Sequence, residues 1–148
     1  MRHACLPTIA LTLALAGTAC LAKPRCTRPT EFQPSLCPVD LPRVTAVHIE
    51  ENGARSPAAG DDASDCARFR LTASHVRRYF ARAWSTDPRD AHYTLDWSPC
   101  HATGSLTLAD GRKAHWSINQ FRTGTLSIEG GDSLFFYCRA CRDKPFLQ

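Results

Sequence analysis

The sequence predicts an α+β fold: an antiparallel β-meander of about four to six strands packed against one main α-helix and stapled by disulfides. Three observations point there. Residues 71–85 carry one apolar stripe at helical spacing, the chain from Tyr93 onward alternates with period two, and six cysteines follow an export-type leader.

The leader comes first in the chain. Arg2 precedes the apolar run "ACLPTIALTLALA", and the small residues of "GTACLA" follow, which is the layout of a secretory signal over residues 1–22. The run is about 13 residues long and contains Pro7, short of the roughly 20 apolar residues that span a bilayer. The mature chain is therefore expected to be periplasmic or secreted, with no transmembrane segment. Lipid anchorage through Cys20 is the alternative, although Gly17 stands where a lipoprotein signal places leucine.

Either route leaves Cys26, Cys37, Cys66, Cys100, Cys138 and Cys141 to pair in an oxidising compartment. Cys26 and Cys37 are expected to tie the arm that holds them. Cys100 is expected to pair with Cys138 or Cys141, and Cys66 with the other.

Residues 23–43 hold five prolines, each fixing φ and removing a backbone donor, so they read as an extended N-terminal arm. Residues 44–148 then form a single α+β domain. "VTAVHIE" (44–50) is rich in β-branched residues and suits a strand, and the polar "ENGARSPAAGDDASD" (51–65) suits a loop. In "LTASHVRRYFARAWS" (71–85), Thr72 is placed to cap a helix, with Leu71 and Val76 as its staple. Val76, Tyr79, Phe80 and Ala83 make its buried stripe, while Arg77, Arg78 and Arg82 face water. Pro88 bars its continuation.

The runs "YTLDW", "ATGSLTLA", "KAHWSIN", "TGTLSIE" and "SLFFYC" then read as strands of a meander. Placing Leu106 and Leu108 on one face with Ala114, Trp116 and Ile118 sets Leu108 opposite Ala114 across an odd-length turn at Asp110-Gly111. The opposite face then carries Thr103, Ser105, Thr107, His115, Ser117 and Asn119, continued by Thr125, Ser127 and Glu129. Thr107, His115, Ser117 and Asn119 are the candidate binding residues of this hydroxyl-rich face.

Chemistry-bearing motifs are sparse. A thioredoxin-type couple at Cys138 and Cys141 needs a helix after the first cysteine, and the seven residues beyond Cys141 include Pro145. Zinc usually takes a second closely spaced pair, and the other cysteines stand singly. No metal and no cofactor is expected. In the register above, His101 and His115 lie about 20 Å apart, too far to share a substrate, and His48 or His92 can reach either only through the fold. Cleaving the leader removes Arg2 and no acid, taking the net charge from +4 to +3, and the basic residues form no stripe of the kind that binds nucleic acid.

The stretch "WSPCHATGSLTLADGRKAHWSINQFRTGTLSIEGGDSLFFYC" (97–138) resembles small exported proteins of Gram-negative bacteria. Its marks are a cysteine before a small-x-Gly-x-Leu run, a glycine turn, Trp-x-Ile, Thr-Gly-x-Leu and a closing Tyr-Cys. The resemblance implies a sheet and brings no catalytic residue. The expected function is thus a non-enzymatic binding, inhibitor or immunity-like protein, whose partner is another protein or a cell-envelope component. The alternative is a small secreted hydrolase, nuclease-like for example, using a histidine pair.

Overall fold

The computed structural model describes residues 25–61 and 64–146. The leader and Cys20 lie outside them. One six-stranded antiparallel sheet, in the order β1-β3-β4-β5-β6-β2, organises the chain. Its strands are β1 (Val44–Arg55), β2 (Trp84–Thr86), β3 (Cys100–Leu108), β4 (Lys113–Asn119), β5 (Thr123–Ile128) and β6 (Ser133–Tyr137). Among the described residues, two α-helices accompany it, α1 (Ala73–Arg82) and α2 (Pro88–Thr94).

Strands β3 to β6 form the meander, because short turns join neighbours and one apolar face along all four can be buried at once. Strict alternation of buried and half-buried residues along β3 shows the two faces directly. Leu106, Leu108, Ala114, Trp116, Ile118, Leu126 and Phe136 from the sheet share one buried cluster with Leu71 and with Val76, Tyr79 and Phe80 of α1. Phe80 meets Phe136 edge-on with ring centres 5.6 Å apart, and Phe69 and Phe146 close the end of the cluster.

The β3–β4 register differs from expectation by two residues. Leu106, not Leu108, lies opposite Ala114. Leu108 instead pairs its N–H with the Arg112 carbonyl (2.8 Å), leaving a three-residue loop in which Gly111 takes a φ of 87°. This tighter closure is the glycine-bulge hairpin, and a shift of two leaves every side chain on its expected face. Within the turn, Asp110 accepts from the Arg112 backbone N–H at 3.1 Å and from its Nε at 2.7 Å. Those bonds, the backbone one foremost, hold its carboxyl below the usual range.

Three elements also depart from expectation. β1 continues through Arg55 into the stretch read as a loop, because three register shifts against β3, with Gly53 at φ 71°, let polar residues stay paired. α1 ends at Arg82 instead of residue 85. Its Thr72 cap forms as a capping box with His75, but Ala83 turns extended and sends Trp84–Thr86 to pair with β6. "YTLDW" is no strand: Asp87 caps and Pro88 opens α2, which runs through Thr94.

The disulfides are Cys26–Cys37, Cys66–Cys100 and Cys138–Cys141. Cys100 therefore joins Cys66, and the two C-terminal cysteines close on each other, contrary to the expected exchange. Cys100 starts β3 opposite Arg55, and Cys66 follows the β1 strand end closely enough to reach it. In the arm, Pro34 and Leu36 are buried, and Cys37 exchanges both backbone hydrogen bonds with Ser85, covering part of the β2 edge. Among the described residues, no helix is long and apolar enough to cross a membrane. The three disulfides fit a chain that works outside the cytoplasm.

Candidate functional site

On the face away from α1, side chains line up in rows across the strands. One row runs His48, Ser105, His115, Ser127 and Ser133, and the next runs Glu51, Thr103, Ser117, Thr125 and Phe135. A third carries His101, Asn119, Thr123 and Tyr137 at its turn end. The pattern follows from period-two alternation in register.

α2 and the segment after it turn part of this face into a cleft of about 570 Å³. His92 and Leu95, then Asp96 and Trp97, form one wall, and the sheet supplies His101, Thr103, Ser117, Asn119, Thr125 and Phe135. The wall is built locally. Asp87 Oδ1 accepts from the Arg89 N–H at 2.8 Å and the Asp90 N–H at 3.4 Å, Thr94 bonds back to the Asp90 carbonyl, and Leu95 N–H closes on Ala91.

Beyond Trp97 the chain is pinned. The buried Ser98 hydroxyl receives the Cys100 N–H at 3.1 Å, Pro99 receives the Ser56 N–H, and Cys100 is locked to Cys66. Trp97, which lines the cleft, remains 57 % exposed.

At the other end, Asn119 Oδ1 accepts the backbone N–H groups of Phe121 and Thr123, fixing the β4–β5 turn. Across the sheet, the Glu51 carboxylate accepts the Thr103 hydroxyl at 3.2 Å and faces His101 Nε2 at 3.7 Å. The cleft thus joins an apolar and aromatic wall to hydroxyl, amide and imidazole groups. Its size falls in the range of about 300–1,000 Å³ typical of small-ligand sites.

Of the residues singled out from sequence, Ser117 and Asn119 line this cleft. Thr107 and His115 share the face but lie outside it, Thr107 opposite Lys113 and His115 opposite Ser105 and Ser127. The corrected register brings His101 to within four residues of the row of His115, about 13 Å instead of 20 Å. His48 and His115 flank Ser105, one on each neighbouring strand. His92 joins His101 in the cleft, an approach that the sequence left open.

The α2 wall had no place in the expected site, because residues 93–97 alternate as a strand would. Asp87-Pro88 was the signal for it, an N-cap residue followed by proline at the first helical position. Among the described residues, no group of three or more His, Cys, Asp or Glu side chains is placed to hold a metal ion. The chain matches no protein-family model, no curated protein and no solved structure.

Proposed function

We propose that this is an exported, non-enzymatic binding protein of the cell envelope, with α1 as the main helix behind the sheet and the opposite face given to ligand. The observation that carries the reading is the cleft itself, in which Trp97 and Phe135 meet Thr103, Ser117 and Thr125. A pyranose ring offers an apolar face to an aromatic side chain and hydroxyls to hydrogen-bonding groups, so a glycan of the envelope is the ligand class of best fit. The leader layout and three disulfides support export.

Titrating the chain with envelope-derived oligosaccharides, muropeptides included, while following backbone amide resonances tests this. Saturable shifts at Thr103, Ser117 and Thr125, lost in Trp97→Ala, support the proposal. Absence of saturation across the panel, or saturation with shifts confined to other surfaces as a protein partner would give, overturns it.

One observation favours a second reading, hydrolysis by a histidine pair: His92 and His101 line the same cleft, and Glu51 faces His101. Turnover of any panel member that disappears in both His92→Ala and His101→Ala, with binding retained, would establish it in place of the first.

A further inference from the structure

A second concavity lies beside the C-terminal disulfide, about 340 Å³ in volume and lined by Arg82, Trp84, Tyr137, Arg139, Ala140 and Arg142. Its floor is a cross-strand aromatic pair, since Trp84 of β2 stands directly opposite Tyr137 of β6. Its rim is cationic. Arg82 ends α1, Arg139 lies within the turn that Cys138–Cys141 closes, and Arg142 follows it.

That turn is held in place. The Cys138 N–H bonds to the Arg122 carbonyl at 3.0 Å, the Cys141 N–H to the Cys138 carbonyl at 3.2 Å, and Arg142 Nε to the Arg139 carbonyl at 3.3 Å. The Arg122 guanidinium lies over the Tyr137 ring with its Cζ 5.4 Å from the ring centre, and its Nε is buried with no hydrogen-bond partner among the described residues. Among the described residues, no Asp or Glu lines the concavity. The nearest acid in sequence, Asp143, faces Arg78 at 3.6 Å.

The guanidinium groups of Arg82 and Arg139 beside an aromatic floor, with no carboxylate among the described residues that line it, select negative charge on a flat framework. Arginine forks match carboxylate and phosphate oxygens, and aromatic floors take rings. We infer that this concavity is a binding site for a small ring-bearing anion, an aryl or heteroaryl carboxylate or phosphate. Its volume, at the low end of ligand sites, suits one substituted ring and not a macromolecular surface.

The site adjoins the cleft described above, because Tyr137 pairs with Thr123, which lines that cleft. The test must therefore report position. We would titrate the full chain with benzoate, phenyl phosphate, benzamide and inorganic phosphate, and follow the Trp84 indole N–H and the Tyr137 and Arg139 amides by NMR.

Benzoate and phenyl phosphate should saturate these resonances, with neutral benzamide at least about tenfold weaker. Inorganic phosphate, lacking the ring, should also be weaker than phenyl phosphate. Arg139→Gln, at an exposed position, should weaken the aryl anions by about tenfold and leave benzamide unchanged. Arg82→Gln, which leaves the disulfide turn untouched, should weaken them in the same direction.

Which aryl anion binds more tightly assigns carboxylate or phosphate as the preferred group. Equal binding of benzamide, binding of inorganic phosphate as tight as that of phenyl phosphate, no saturation by either aryl anion, or shifts confined to Thr103 and Ser117 would overturn the inference.

Discussion

Trp116 lies directly across the β3–β4 pair from Gly104, and its ring covers the space that a side chain on Gly104 would fill. A Cβ at Gly104 would stand 2.9 Å from Trp116 Cζ2 and would overlap the His48 carbonyl oxygen of β1. The ring is also fixed by its Nε1–H, which donates to the Ser105 carbonyl at 3.1 Å. Gly104→Ala must therefore push β1 away from β3, and it should cost about 3 kcal/mol or more by overpacking. Gly131→Ala, whose Cβ would meet nothing closer than 3.6 Å, should stay within about 0.5 kcal/mol. Urea midpoints of the two variants make the comparison, and equal midpoints would refute the close β1–β3 contact.

The same strand offers a paired test of the two faces. Trp116 is buried at 2 % exposure and His115 is exposed. Trp116→Ala should cost about 3–5 kcal/mol as a large-to-small core change, and His115→Ala about 0.5 kcal/mol or less. A large loss in His115→Ala with none in Trp116→Ala would place β4 one residue out of register, exchanging its faces.

These faces were legible in the sequence because alternation fixes which side a residue takes. It does not fix the partner. A two-residue slip leaves the pattern of β3 and β4 intact, so only the closure at Gly111 distinguishes Leu106 from Leu108 opposite Ala114. β1 was half legible, since its β-branched start read as strand while Glu51–Arg55 depends on bulges set by β3. For the candidate cleft, the hydroxyl wall followed from period two, whereas the α2 wall was hidden by the alternating look of "YTLDW". Disulfide partners were the least legible, because a pairing depends on which chain ends meet in space.

The disulfide partners carry their own prediction. Cys66–Cys100 bridges a sequence separation of 34 and Cys138–Cys141 a separation of 3. In the chain-entropy account, these loops correspond to about 4 and about 2 kcal/mol, so replacing Cys66 and Cys100 by Ser should destabilise more than replacing Cys138 and Cys141. The pairing itself can be checked by unreduced tryptic mapping. Cleavage after Arg139 should leave its two sides joined through Cys138–Cys141, and a Cys66–Cys141 peptide would contradict the structure.

Tyr79 supplies the pH dependence. Its hydroxyl is buried between the carbonyls of Arg122 (3.0 Å) and Phe136 (3.4 Å), tying α1 to the sheet. Burial first, and the neighbouring Tyr137 second, push its pKa well above the ordinary value. An unfolded tyrosine titrates near pH 10 or so, where the folded chain still holds this proton. The stabilisation is therefore complete below about pH 10, and it is lost as pH rises from there towards the higher folded value, because the unfolded state releases a proton that the native state keeps. At about pH 7, Tyr79→Phe should cost about 1–2 kcal/mol, the loss of a buried hydrogen bond. Above about pH 10 the gap between wild type and variant should narrow, since phenylalanine has no such titration. Urea midpoints for both proteins across that range decide it: a gap constant up to about pH 11 would mean that the Tyr79 hydroxyl is not held neutral by its burial against the sheet.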